Sequence, residues 1–184
     1  MSFRTYFKVV LIGEGAVGKT SIAKRYLKGE FTHEYKQTLG VDIFSKSTKI
    51  DIGQRTIRIQ WIIWDLAGQP KYKDVRKTFY KGAKGGILVF DVSRKETYEA
   101  AMNWANEFII NSGRHPIVLV GNKIDLREKY PDCVTREEGE KLAKILSKML
   151  GYEVPYVESS ALKNINIDEI FNTLGRLILS KVFK

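Results

Sequence analysis

A glycine-rich segment near the start of the chain has the residue types and spacing of a phosphate-binding loop. It follows an apolar run and reads Gly13-Glu14-Gly15-Ala16-Val17-Gly18-Lys19-Thr20-Ser21. Its glycines allow successive backbone N–H groups to point at a polyphosphate, and a helix that begins near Lys19 adds its positive end. Lys19 can reach the β- and γ-phosphates, and the Thr20 hydroxyl can bind the accompanying Mg²⁺. We therefore expect phosphate contacts from Gly13, Gly15, Ala16, Val17, Gly18, Lys19, Thr20 and Ser21. The alternative is a turn that carries Gly-Lys-Thr by chance, but the strand before it and the helix after it favour the phosphate loop.

Two later loops carry groups that could recognise guanine. The first reads Asn122-Lys123-Ile124-Asp125 and follows a buried strand. The Asp125 carboxylate can accept hydrogen bonds from guanine N1–H and the exocyclic amine, a donor pair that adenine lacks. Lys123 can lie along the base, and Asn122 can tie this loop to the phosphate loop. The second loop, 158–162, can present the backbone N–H of Ala161 to guanine O6. The predicted base-binding residues are Asn122, Lys123, Asp125, Ser160, Ala161 and Leu162.

The four-residue pattern alone is weak, because Asn-Lys-x-Asp is more often a polar turn than a binding site. Its place after a phosphate loop and before Ser160-Ala161 makes guanine recognition the favoured interpretation.

The elements that would position these loops alternate between strand and helix. Apolar and β-branched segments predict six strands, at 6–12, 41–52, 56–65, 85–92, 117–121 and 154–159. The second and third should form an antiparallel hairpin that turns at Gly53. Residues 31–37 are interpreted as an irregular, mobile loop.

Helices are predicted between these strands. One begins near Lys19, and capping boxes at Ser93 and Thr135 should open two more, which end near residues 112 and 150. The last helix has a single apolar face, formed by Ile167, Ile170, Phe171, Leu174, Leu177 and Ile178. This order predicts a doubly wound α/β fold with a mainly parallel six-stranded sheet, one antiparallel edge strand and about five helices. Ligands bind such sheets at the carboxyl ends of the strands, where both base loops and the phosphate loop would lie.

The composition is that of one folded domain. The chain has 184 residues, of which 43% are hydrophobic and 28% charged. No apolar run approaches the ~18 residues of a membrane span, and the first residues lack the apolar core of a signal peptide. Cys133 is the single cysteine, which excludes an internal disulfide and fits a reducing compartment. We expect a cytoplasmic protein, peripheral at membranes if it reaches them at all.

Five segments in order make the chain resemble a small GTPase of the Ras superfamily, closest to the Rab-like branch, over essentially its whole length. They are the phosphate loop, Thr38-Leu39-Gly40-Val41-Asp42, Trp64-Asp65-Leu66-Ala67-Gly68-Gln69, Asn122-Lys123-Ile124-Asp125 and Ser160-Ala161. Residues 134–139 are also similar to Rab sequences. The resemblance implies a P-loop NTPase fold, the small G domain, as a single domain over 1–184. It implies a molecular switch that binds GTP or GDP with Mg²⁺ and slowly hydrolyses GTP.

The resemblance also implies roles for individual residues. Thr38 would bind Mg²⁺ only when a γ-phosphate is present, and Asp65 would hold the metal through water. Gly68 would donate its N–H to the γ-phosphate, and Gln69 would orient the attacking water as the catalytic residue. Phe31 would pack beside the guanine.

The resemblance further implies partners in membrane trafficking. A monomer would contact effectors, an exchange factor and a GTPase-activating protein through residues about 34–45 and 66–80. Pro70 stands where a glutamate is usual, which removes an N–H and a carboxylate and puts the usual exchange-factor contact in doubt. Leu66 replaces a threonine, and Leu162 replaces a lysine.

Other departures concern the effector surface and the tail. Rabs bind effectors through an aromatic triad, of which Trp64 and Tyr80 match two positions and Ile43 replaces a phenylalanine. The hairpin is longer than the Rab pattern, with a bulge or an extension expected at 60–63. No cysteine in the last residues could be prenylated, and Ser2 cannot be myristoylated as a glycine would be.

Two functions of other classes stay open. One is a scaffold that binds GTP without turning it over, which Thr38, Gly68 and Gln69 argue against. The other is a basic module with a P-loop fold that binds nucleic acid or lipid, since residues 71–84 carry six cations and one acid within a chain of net charge +10. We interpret these cations as a solvated helix face that could make weak contact with an anionic membrane. No specific nucleic-acid partner is expected.

Overall fold

A computed structural model describes residues 5–28, 32–36 and 40–182. The strands in these ranges form one seven-stranded sheet in the order β2-β3-β4-β1-β5-β6-β7. Their bounds are β1 Thr5–Ile12, β2 Thr32–Lys36, β3 Val41–Ile52, β4 Arg55–Leu66, β5 Gly85–Asp91, β6 Ile117–Asn122 and β7 Tyr156–Ser159. The α/β class and all six predicted strands are therefore confirmed.

Six α-helices lie in the described part of the chain. Their bounds are α1 Lys19–Leu27, α2 Lys73–Phe79, α3 Lys95–Glu99, α4 Ala101–Ser112, α5 Arg136–Leu150 and α6 Ile167–Val182. Since α3 and α4 meet at Ala100 and occupy the place of one predicted helix, the expectation of about five helices is confirmed. The same described ranges also contain two short 3₁₀ turns, Pro70–Tyr72 and Ile124–Glu128.

The edge of the sheet differs from the prediction. Residues 31–37 were expected to be irregular, but Thr32–Lys36 form β2, which pairs antiparallel with β3. Because β3 is also antiparallel to β4, and β4 is parallel to β1, β3 alone runs opposite to the other described strands. The single antiparallel strand was predicted correctly, but it is covered by β2 and is not the edge.

The hairpin of β3 and β4 is regular along its whole length. Its register runs without an inserted residue from Val41 opposite Leu66 to Ile52 opposite Arg55. Of the two alternatives for residues 60–63, the bulge is therefore wrong, and the extension stays a prediction.

Two hydrophobic layers cover the two faces of the sheet. One is built around α1 and α6, where the buried Phe171 stacks on Tyr26 and meets the edge of Trp61. The other includes residues of α4 and α5. The predicted apolar face of the last helix is buried, except that Leu177 is partly exposed.

The two predicted capping boxes have different outcomes. Thr135 and Glu138 form the box at the start of α5. Ser93 does not cap α3, because its hydroxyl donates to the Asp91 carboxylate at 2.6 Å and Arg94 occupies the N-cap. The competing acceptor, Asp91, lies only two residues before Ser93, at the end of β5. Among the described residues, no helix is both long and apolar enough to cross a membrane.

Candidate nucleotide-binding site

The phosphate loop joins β1 to α1 at the carboxyl end of the sheet. The Lys19 ammonium, on a residue only 6% exposed, donates to the carbonyls of Gly13 at 2.9 Å and Glu14 at 2.8 Å. Burial lowers the pKa of Lys19 to about 8 despite the nearby acids Asp65 and Glu14. The negative charge of a polyphosphate bound beside Lys19 would raise this pKa again and favour the ammonium form.

The backbone conformation and the close neighbours at position 18 require a glycine there. Its φ of +102° favours glycine, and a Cβ there would lie 2.2 Å from the Asn122 amide nitrogen. The loop is thus packed directly against the first base loop.

The oxygen donors beside the loop fit a magnesium ion. The Thr20 hydroxyl donates to Asp65, and Asp42 lies directly opposite Asp65 across β3 and β4. Burial raises the pKa of Asp65 to about 6. A cation bound beside the Asp65 carboxylate would lower this pKa again. Hydroxyl and carboxylate oxygens are the ligands that Mg²⁺ prefers, so the fit is good. The sequence did not reveal Asp42, because only the register of the hairpin brings it opposite Asp65.

A cavity of about 210 Å³ lies between these oxygens and the segment that follows β4. Gly68 approaches the phosphate loop so closely that a Cβ would be 2.5 Å from backbone atoms of Gly13, Glu14 and Gly15. Gln69 is exposed and lines the same cavity. The predicted partners Thr38 and Phe31 lie outside the described residues.

Asn122 joins both base loops to the phosphate loop. Its amide nitrogen donates to the Val17 carbonyl at 3.0 Å. Its amide oxygen accepts from the Ser159 hydroxyl at 3.1 Å and from the Ala161 backbone N–H at 3.3 Å. The predicted tie to the phosphate loop is therefore present. The Ala161 N–H, which we expected to face guanine, is bonded to Asn122 in this structure.

Lys123, Asp125 and Leu162 line a second cavity of about 640 Å³. The Asp125 carboxylate accepts from the Ser160 hydroxyl. Lys123 donates to the Ala16 carbonyl at 2.7 Å and pairs with the buried Asp91 at 2.7 Å. Leu162 lines the cavity and is 74% exposed. Ser21 also lines it, so the cavity extends from the base loops to α1.

Two arginines contribute contacts that the sequence did not reveal. Arg25 of α1 donates to the carbonyls of Ala161 at 2.8 Å and Leu162 at 3.1 Å. Its partners lie more than 130 residues away, so no local pattern points to them. Arg94 donates to the Gly15 carbonyl at 2.8 Å. Its place just after β5, at the carboxyl end of the sheet, could have identified it as a candidate.

The basic segment 71–84 divides into exposed and buried residues. Its five lysines are exposed, as expected for a solvated face: Lys71, Lys73, Lys77, Lys81 and Lys84. Arg76 is only 4% exposed and pairs with Glu107 at 2.7 Å, so its assignment to that face is wrong. The ion pair with Glu107 of α4 holds this one residue of α2 in the interior.

The predicted triad position at Tyr80 is also wrong. Tyr80 is fully buried, and its hydroxyl donates to Glu107 at 2.7 Å. Phe79 is the aromatic residue that packs on Trp64, with ring centroids 5.4 Å apart. Ile43 lies directly opposite Trp64 on the neighbouring strand, so Ile43, Trp64 and Phe79 share one surface.

The chain is similar to proteins of a known family. The family model described as Ras family matches residues 8–180. "GTP-binding protein yptV5" of Volvox carteri is 36% identical over 178 residues, which are 94% of this chain and 82% of that protein. "Ypt/Rab-type GTPase ypt7" of Schizosaccharomyces pombe is 34% identical over 95% of this chain and 83% of that protein. "Ras-related protein Rab7" of Pisum sativum is 34% identical over 94% and 82%.

Proposed function

The chain belongs to the Ras family, and we propose that it works as a Rab-like switch that binds GTP and GDP with Mg²⁺ and slowly hydrolyses GTP. The observation that carries the proposal is the position of Asn122. Its three hydrogen bonds join the phosphate loop to both predicted base loops. One nucleotide could therefore contact all three loops, with its phosphates at Lys19 and its base at Asp125.

The proposed hydrolysis depends on charge and positioning, as phosphoryl transfer requires. Lys19 contributes a buried cation, and Gly68 brings its backbone against the phosphate loop. Gln69, exposed at the edge of the smaller cavity, would orient the attacking water. Thr20 and Asp65, the latter through water, would hold Mg²⁺ together with Thr38. When bound, this ion neutralises charge on the β- and γ-phosphate oxygens.

We propose that hydrolysis is slow without a partner. No arginine occurs between Phe31 and Thr38, where some P-loop GTPases carry a catalytic one. Arg76 and Arg94, the arginines whose charges act on Lys19, are bonded to backbone carbonyls. The rate should therefore resemble the intrinsic rate of Ras, on the order of 10⁻⁴ s⁻¹, with roughly 10³–10⁵-fold acceleration from an arginine supplied by an activating protein.

We further propose that the state of the nucleotide is read by trafficking effectors, as the Rab-type relatives suggest. The contact surface would include the side chains of Ile43, Trp64 and Phe79. It would also include residues 66–72, several of which line the smaller cavity. Contacts with exchange and activating factors would fall within residues about 34–45 and 66–80.

The direct test is to identify and follow the nucleotide. Denaturation of the purified protein should release GDP, detected chromatographically. Single-turnover assays should then show slow loss of GTP in the wild type and loss of most of that rate in Gln69→Leu, with GDP affinity retained. Release of an adenine nucleotide would refute the assignment, and nucleotide binding with no hydrolysis would favour the scaffold.

A second candidate is weak binding to anionic membranes through the five exposed lysines of 71–84. Affinity for phosphatidylserine vesicles should then fall steeply with salt and with Lys77→Glu. No binding at low salt would exclude this role.

A further inference from the structure

A buried network joins the backbone around Gln69 to the phosphate loop. Arg76 lies on α2, but its guanidinium faces back along the chain toward β4. Its Nη1 donates to the Ala67 carbonyl at 2.9 Å and approaches the Gln69 carbonyl at 3.4 Å. The residue is 4% exposed, so these contacts are shielded from water.

Glu107 of α4 holds this guanidinium in place. Its two carboxylate oxygens accept from Arg76 Nε at 2.7 Å and from Nη2 at 3.1 Å, and the Tyr80 hydroxyl adds a bond of 2.7 Å. Burial would raise the pKa of Glu107, but the bonds from Arg76 and Tyr80 hold it below its usual value. The pair is therefore ionised and bidentate, the arrangement that best fixes an arginine.

Trp104 continues the network to the phosphate loop. Its ring lies 4.3 Å from the Arg76 guanidinium carbon, and its Nε1–H donates to the Glu14 carboxylate at 3.0 Å. Glu14 in turn accepts the Lys19 ammonium on its backbone carbonyl at 2.8 Å. One aromatic side chain thus touches both the residue that holds the segment 67–69 and the loop that would hold the phosphates.

Pro70, the next residue along the chain, also restrains the backbone of Gln69. A proline disfavours the helical region for the residue before it, and Gln69 is extended, with φ −69° and ψ 143°. The Gln69 backbone is therefore fixed by Pro70 in its torsion angles and by Arg76 at its carbonyl and that of Ala67. Its side chain remains free to meet the cavity.

We propose that Arg76 and Trp104 are positioning residues for GTP hydrolysis, which hold Gln69 at the cavity beside the phosphate loop without touching the nucleotide. The inference rests on the proposed hydrolytic function. Release of the network would displace Gln69, and a misplacement of about 1 Å costs on the order of 10²-fold in rate. Apart from the proposed Gly68 contact to the γ-phosphate, which GDP lacks, the proposed base and phosphate contacts lie in other loops, so GDP affinity should change little.

The test compares single-turnover GTP hydrolysis with GDP affinity in three variants. Lysine at 76 keeps the charge beside Glu107, but it cannot contact both carboxylate oxygens and still reach Ala67. Arg76→Lys should therefore lower the rate about 10–100-fold, with GDP affinity within about threefold. Trp104→Phe keeps a ring under the guanidinium and removes only the bond to Glu14, so its rate should fall less. The matched control is Arg136→Lys, in an exposed ion pair on α5, which should match the wild type.

Hydrogen exchange gives a readout that does not depend on turnover. Amides of 67–72 should exchange faster in Arg76→Lys than in the wild type, both with GDP bound, while those of α5 remain unchanged. Unaltered rate and exchange in this variant, with an active wild type, would overturn the inference alone. An equal loss of rate and GDP affinity would also overturn it, because the role would then be general stability. A wild type without hydrolysis would overturn the proposed function as well.

Discussion

Substitution of Asn122 by alanine tests how the candidate site is held together. Asn122 is 1% exposed and makes three hydrogen bonds, to the Val17 carbonyl, the Ser159 hydroxyl and the Ala161 N–H. These partners are themselves at most 7% exposed, so water cannot readily replace the lost amide. The variant therefore leaves three buried polar groups without the partner they have now.

The expected loss of stability follows from the number of these buried polar groups. At about 1 kcal/mol for each lost bond, at the low end of the cost of a buried unsatisfied group, Asn122→Ala should lower the free energy of unfolding by about 3 kcal/mol. That corresponds to about a 100-fold change in the folding equilibrium constant. GDP should also dissociate faster, because the phosphate loop and both base loops lose their common connection.

Urea unfolding of the nucleotide-free protein and release of a fluorescent GDP analogue measure the two effects. Ser159→Ala is the matched control, since it removes only the bond of 3.1 Å and should cost about 1 kcal/mol. If Asn122→Ala is no less stable than Ser159→Ala, or if GDP release is unchanged, the connecting role of Asn122 is refuted.

Three further outcomes are expected from other parts of the molecule. Asp125→Asn should weaken GTP binding and improve binding of xanthosine triphosphate, whose C2 oxygen needs a donor, and unchanged affinities in competition assays would contradict guanine recognition. Gly139→Ala should destabilise the fold by about 1–3 kcal/mol in urea unfolding, because its Cβ would lie 2.1 Å from the Tyr156 ring; a stability gain would contradict this packing. Glu107 has a pKa below its usual 4.5, so its pairing with Arg76 stabilises the fold above that pH and is lost as pH falls through the lowered value. Glu107→Gln should therefore be less stable at neutral pH and lose less further stability on acidification, whereas parallel curves of stability against pH would contradict the linkage.

The sequence by itself determined six of the seven described strands and the phosphate loop. Strands buried on both faces of a parallel sheet must be apolar at nearly every position, and Gly85–Asp91 and Ile117–Asn122 have this property. The loop was equally visible, because close backbone packing against Asn122 and a left-handed conformation demand glycine at position 18. Both requirements act on consecutive residues, so they leave a local pattern.

Tertiary structure alone decided the places of several side chains that the sequence missed or misplaced. Arg76 reads as one more surface cation until α4 brings Glu107 to it across 31 positions of sequence. Asp42 faces Asp65 only through the register of the hairpin, and Phe79 rather than Tyr80 meets Trp64 because α2 turns Tyr80 into the core. In each case the free energy of a charged or aromatic side chain depends on partners that are distant in the chain, and local residue order does not specify where those partners will be.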